Sequence, residues 1–203
     1  LENYPFIRSQ VQITRIEVWV TNRAQRTDNV RNLVALQDLG DPYFFNFPDG
    51  GLNFAKNEVN KFKEYINYVL PDLIITHSPE DYHSDHRALS FIVKEATGFK
   101  CPIIYTDTLM GVNFLPDYYV EITPHFELKK NAIMKHESQN PERFLQATIL
   151  LNRFRSAQCN APIDNYAEAF RHEKRFPFAD IRFLLPHAPK ICPFYENNPE
   201  SFI

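Results

Sequence analysis

PDLIITHSPEDYHSDHRALS, residues 71–90, decides how this chain is read. Leu73–Thr76 (LIIT) is a short apolar run rich in β-branched residues, and it predicts a buried strand. From Asp85 to Thr97, apolar Ala88, Leu89, Ile92, Val93 and Ala96 recur at helical spacing, with Gly98 just past the end. Between strand and helix lies a polar loop. Three histidines and three carboxylates fall within residues 77–86. In a parallel α/β sheet, ligands sit beyond the carboxyl ends of the strands. These metal-ligand and acid/base residue types therefore stand where a site is expected.

Working outward, strand and helix signals alternate. Ile16–Val20 (IEVWV) reads as a strand, and Asp28–Leu39 as a helix closed by Gly40. Tyr43–Phe47 (YFFNF) reads as a second strand, followed by the turn Pro48-Asp49-Gly50-Gly51. Lys56–Leu70 carries Val59, Phe62, Ile66 and Val69 on one face and stops at Pro71. Pro102–Tyr105 and Tyr118–Ile122 are further strands. The pattern then changes: Pro124–Ser138 and Pro141–Arg155 read as helices, Asn165–Arg171 as a short third. Residues 176–203 read as an irregular tail. The alternation implies one α/β domain with a largely parallel sheet.

Composition excludes several functions. The length of 203 residues fits one domain, and 18 Phe with 10 Tyr are enough for a core. A net charge of −3 gives no basic field, so nucleic acid and anionic membranes are not expected partners. No apolar run reaches the ~18 residues that span a bilayer. The 5 glycines make neither GxGxxG nor a P-loop, so nucleotide chemistry of those types is not expected. The 3 cysteines, Cys101, Cys159 and Cys192, form no CxxC and read as reduced thiols of a cytoplasmic protein. The sequence starts at Leu1 rather than Met, which suggests a missing front.

Within the loop, His83-Ser84-Asp85-His86 has a definite chemistry. Ser84 or Asp85 can cap the helix, putting His86 in its first turn. The positive end of the helix dipole disfavours imidazolium there, and neutral imidazole is the metal-binding form. Asp85 can hold an imidazole N–H and raise that ring's basicity. One histidine as ligand and one as acid/base is one reading. A capped helix start with solvated histidines is the other.

PDLIITHSPEDYHSDHRALS resembles the third signature of the LmbE-like, PIG-L-type zinc-dependent N-acetylglucosamine deacetylases, in which His-x-Asp-His-Arg opens a helix. DNVRNLVALQDLG, FFNFPDGGL, VEITPHFELKKNAIMKHESQ and YAEAFR resemble other family segments in the same order, over roughly residues 16–175. The resemblance implies a Rossmann-like three-layer sandwich with a mostly parallel sheet. It implies removal of an acetyl group from an N-acetylated amino sugar or glycoconjugate, with Zn2+ or another divalent metal as cofactor. His86 would be a zinc ligand. His83 would support the oxyanion or protonate the leaving amine, and Asp85 would orient His83. Tyr82 stands near a family tyrosine that approaches the oxyanion; a packed loop aromatic is the other reading. Asp49 would contact sugar hydroxyls, or simply make the turn. Arg23 or Arg26 could supply a substrate-binding arginine, and His136 and Gln139 could line the pocket. Tyr166, Phe170 and Arg171 would hold the site loops by packing, with Arg171 pairing to a carboxylate. His77, His125, His172 and His187 carry no such context and read as bland.

The family's Ala-His-Pro-Asp-Asp segment, which supplies two zinc ligands and a general base, is not among these residues. A catalytic zinc takes three protein ligands and a water, so either the sequence is a fragment or the metal half-site is lost. The second case suits a non-catalytic sugar-binding or interaction module. A phosphohydrolase fits poorly, because no partner helix carries further His or Asp pairs. Exposed tail aromatics would suit a homo-oligomer contact.

Overall fold

The computed structural model describes residues 13–15, 43–137, 140–174, 186 and 189. Among the described residues, five strands form one sheet in the order β1-β2-β3-β5-β4. They are β1 Ile13–Arg15, β2 Leu73–Thr76, β3 Ile103–Thr106, β4 Tyr118–Glu121 and β5 Ala167–His172. The helices are α1 Lys56–Val69, α2 Ser84–Thr97, α3 Phe126–Met134 and α4 Pro141–Gln158.

The α/β class holds, but the sheet is mixed rather than mostly parallel. β1, β2 and β3 run parallel, with Ile13 opposite Leu73 and Ile74 opposite Ile103. β5 then enters antiparallel between β3 and β4, pairing Tyr105 with Arg171 and Tyr119 with Ala169. Asn165–Arg171, expected as a helix, supplies this strand. Its Ala and Glu favour a helix locally, yet a free slot between two strands satisfies the backbone on both edges and overrides that preference. Its small residues Ala167 and Ala169 are fully covered.

Tyr43–Phe47, expected as a strand, has no regular structure. Asn46 adopts φ +57° and breaks the extended run. The aromatic rings lie instead on α1: Phe45 stacks on Phe62 at 4.2 Å and Tyr43 on Tyr65 at 4.6 Å. The expected Ile16–Val20 strand and Asp28–Leu39 helix lie outside the described residues, as does the tail apart from Pro186 and Pro189.

The main core packs Phe62 and Ile66 of α1 and Leu89, Ile92 and Val93 of α2 with Ile74, Ile103, Tyr105 and Ala169 of the sheet. Each such aliphatic side chain contributes about 1.5–3 kcal/mol on burial. A second cluster joins Leu73, Ile104, Val120 and Phe170. The alternation of the strands sends the two sets to opposite faces. α1 ends where Leu70 turns left-handed (φ +51°) just before Pro71. That stop delivers β2 directly, and β2 in turn delivers the loop to α2. No helix among the described residues is long and apolar enough to cross a membrane.

Candidate metal and acid/base site

β2 is buried except at half-buried Ile75 and ends at Thr76, so His77 is the first side chain past the strand's carboxyl end. α2 begins seven residues later, at Ser84. Its cap is His83, not Ser84 or Asp85: the Asp85 N–H donates to His83 Nδ1 at 3.2 Å. Arg87 braces the loop from the helix side, donating to the carbonyls of Asp81 at 2.8 Å and Tyr82 at 2.7 Å.

This folding gathers three rings around one carboxylate. His77 and His86 stack face to face, centroids 3.9 Å apart and planes within 4°. His83 lies 4.9 Å from His86. Asp81 is 5% exposed; its Oδ1 accepts from the His83 N–H at 2.9 Å and lies 3.0 Å from His86 Nδ1. Burial alone would raise the Asp81 pKa. The His86 side chain, the His83 N–H and the charge of His77 outweigh it and hold Asp81 below the usual carboxylate range.

The donor set fits a divalent metal. His77, Asp81 and His86 each offer a ligand atom, all within 4.8 Å of one another. The contact of His86 Nδ1 with Asp81 is not aligned as a hydrogen bond. Two donors at about 2.0–2.2 Å from one tetrahedral ion stand about 3.3–3.6 Å apart, so the 3.0 Å contact needs to open by only a few tenths of an ångström to admit one. Stacked imidazoles have their lone pairs in parallel planes, so one ion cannot lie in the plane of both rings. His86 with Asp81 is therefore the better-matched pair, and His77 joins it only by turning.

Of this candidate donor set, sequence reasoning named His86 as a ligand and did not name His77 or Asp81. His77 was readable as the first residue past a strand's carboxyl end, the position where ligands gather. Asp81 had no comparable signal, because its role depends on the loop folding back.

Tyr82 is exposed, with its ring edge-on to His83 at 6.1 Å and to His86 at 6.2 Å. Beside it opens a cavity of ≈590 Å³ whose walls include Leu109, Met110, Phe144, Ala147 and Leu150. Asp49 is exposed on the Pro48–Gly51 turn, closed by Gly51 N–H to Pro48 C=O at 3.1 Å. Asp85 is 2% exposed, and its Oδ2 accepts from the Gly50 N–H at 2.8 Å. The Asp85 carboxylate thus faces the turn, while its backbone N–H meets His83. His136 follows the end of α3 and is not in the histidine cluster. Arg23, Arg26 and Gln139 lie outside the described residues.

Far along the chain, Arg171 of β5 pairs with Glu80 and donates to Ser78 Oγ at 3.3 Å. Its guanidinium lies 5.3 Å from the Phe114 ring and 5.7 Å from Tyr105. The expected pairing of Arg171 with a carboxylate is what the structure contains. His125 and His172 lie outside the cluster, and His187 outside the described residues.

A family model described as PIG-L, GlcNAc-PI de-N-acetylase, matches residues 12–97. The resemblance to the LmbE-like, PIG-L-type family is thereby borne out over a segment that contains the whole histidine loop. No curated protein matches the chain. Among solved structures, the conserved protein TT1542 from Thermus thermophilus is similar with a TM-score of 0.69, 18% identity and 87% of each chain covered. The N,N'-diacetylchitobiose deacetylase from Pyrococcus horikoshii gives 0.64 and 19% identity, over 79% of this chain and 72% of that one. GalB, the 4-carboxy-2-hydroxymuconate hydratase from Pseudomonas putida KT2440, gives 0.64 and 18%, over 77% and 74%. At these identities the likeness establishes a shared fold.

Proposed function

We propose that this chain is a metal-dependent N-deacetylase acting on an N-acetylated amino sugar or glycoconjugate. The observation that carries the reading is the HSDH loop, with His83, His86 and Asp81 gathered at the carboxyl end of β2 inside the segment matched by the family model. The three-layer, Rossmann-like arrangement and a cytoplasmic setting belong to the same reading. The free thiols Cys101 and Cys159 support the latter; burial pushes Cys101 up to about 11, which disfavours its thiolate at neutral pH. A homo-oligomer is also part of the reading, untouched by the contacts described.

His86 and Asp81 would hold the ion, zinc or another divalent metal. When bound, the ion polarises an amide carbonyl and acidifies a water. The protein's own groups do the rest. His83 accepts the Asp85 N–H at Nδ1, so neutral His83 carries its proton on Nε2. That nitrogen is a ready donor to an oxygen that gains charge as the amide is attacked. Protonation of Nδ1 would break the helix cap. The cap therefore favours His83 as an oxyanion donor over His83 as the acid that protonates the leaving amine. Tyr82, edge-on to both rings, bounds the site on the cavity side, and Asp49 stands ready to accept sugar hydroxyls.

The likeness to a hydratase keeps a second reading in view: addition of a metal-activated water to a carbon–carbon double bond on the same fold. A sugar-binding module without catalysis is the third. Acetate release from N-acetylglucosaminides by the zinc-loaded protein separates them. The deacetylase reading requires acetate from the wild type and a loss of turnover of about 10²–10³ in His83→Ala. No acetate, with hydration of an unsaturated acid, would replace it by the hydratase. No turnover of either kind with sugar binding retained would leave the module.

A further inference from the structure

The Asp85 carboxylate is one of the most deeply placed charges in the described structure, 2% exposed in the first turn of α2. A buried carboxylate is expensive unless hydrogen-bonded. Among the described residues its hydrogen bond comes from one donor, the Gly50 N–H at 2.8 Å, 35 residues earlier in the chain. Its other oxygen, Oδ1, is buried without a hydrogen-bond partner among those residues. His83 has no claim on either oxygen, since its contact with this residue is Nδ1 to the Asp85 backbone N–H.

The receiving end is a turn built on two adjacent glycines. Gly50 sits at φ +70°, a left-handed conformation that side chains resist. A Cβ on Gly51 would lie 2.6 Å from Pro48 Cγ. Both positions thus call for glycine, the residue with the freest backbone, so the turn depends on contacts from outside to hold its place. Among the described residues, the side-chain hydrogen bond that reaches it from another element is that of Asp85. Asp85 neighbours His86 in sequence and shares the helix start with His83, so anything fixed to its carboxylate is fixed relative to both.

We infer that Asp85 is a positioning residue that ties the Pro48–Gly51 turn, and Asp49 with it, to the histidine pair. It acts on substrate binding through Gly50 and not on His83 through its carboxylate. The role rests on the deacetylase reading only for what Asp49 binds; the tether itself does not.

The test is the isosteric Asp85→Asn, which keeps volume and a neutral acceptor but loses the charge that strengthens the bond. Amide hydrogen exchange followed by NMR reads the tether without any substrate. Gly50 should exchange several-fold faster in Asp85→Asn and at least about tenfold faster in Asp85→Ala, with the α2 amides unchanged. If Asp85→Ala does not fold, the Asn variant alone decides. In the zinc-loaded enzyme, KM should rise in both Asp85 variants and in Asp49→Ala. The double variant should have the same KM as Asp49→Ala, because both lie on one route. Unchanged Gly50 exchange would overturn the tether. So would a loss confined to kcat that is non-additive with His83→Ala, which would return Asp85 to orienting the histidine. Accelerated Gly50 exchange in a protein that releases no acetate would support the tether while defeating the deacetylase reading, so the two failures are distinct.

Discussion

The guanidinium of Arg171, on the last strand, closes on the carboxylate of Glu80, 91 residues earlier in the histidine loop. One end of the loop is thereby anchored to the sheet. Burial would raise Glu80's pKa, but Arg171 and Ser78 outweigh it and hold the group below its ordinary value. A carboxylate so depressed contributes stability above its unfolded value, near pH 4.3–4.5, and loses it as pH falls through the lower folded value. Glu80→Gln should therefore be less stable than wild type at pH 7. The gap should be at most about 1 kcal/mol, because Glu80 is 36% exposed and solvent screens the pair. Urea denaturation at pH 7 and pH 3 checks it: the gap should close at the lower pH, and a gap that widened would contradict the assignment.

Zinc affinity should rank the loop's donors. His86→Ala is expected to abolish stoichiometric binding in equilibrium dialysis. Asp81→Asn should weaken it by more than the roughly 10–100-fold that loss of an outer-shell partner costs. His77→Ala should cost less than either, since its ring is stacked parallel to His86 and must turn to reach the same ion. A His77→Ala loss equal to that of His86→Ala would show that the ring turns readily.

Steric filling of the cavity beside Tyr82 should discriminate among substrates. Ala147 is on its wall, together with Leu109 and Met110. Ala147→Trp should raise KM about tenfold for a glycoside with a bulky apolar aglycone, the loss of one buried group's contacts. It should leave free N-acetylglucosamine little affected. Equal effects on both would place the sugar itself in that cavity.

Arg155 is the structural counterpart of these charges. It is 2% exposed and binds Asp107 at 2.6 and 3.0 Å, with Nη1 donating to Gln158 at 2.8 Å. Arg155→Met should destabilise by about 3–5 kcal/mol, because Asp107 would be left nearly buried and unpaired. Gly111→Ala should also destabilise, by about 1–3 kcal/mol. Gly111 has φ +69°, and an added Cβ would stand 2.7 Å from the Arg155 guanidinium. Thermal melts at neutral pH measure both.

What could be read in the sequence divides by range. LIIT and the amphipathic runs of α1 and α2 were visible because strand and helix periods are local, and their boundaries fell within a residue or so. Ala167–His172 misread because its residues favour a helix and only the slot between β3 and β4 makes it a strand. Tyr43–Phe47 misread because its aromatics found partners on α1 instead of a neighbouring strand. At the site, His83 and His86 were legible from motif and helix start. The parts fixed by chain reversal were not: Asp81 turning to His86, and Asp85 turning to Gly50.

The placement of β5 has a consequence for how the molecule comes into being. The strand that separates β3 from β4 is the last of the five described strands in the sequence. During synthesis, β2, β3 and the histidine loop emerge long before residues 167–172 can enter the gap. Until then β3 exposes one edge, β4 lacks its neighbour, and Glu80 has no Arg171 to meet. The loop that gathers the histidines thus acquires its Arg171 contact only with the closing strand, while the bonds from Arg87 and to Asp81 can form earlier.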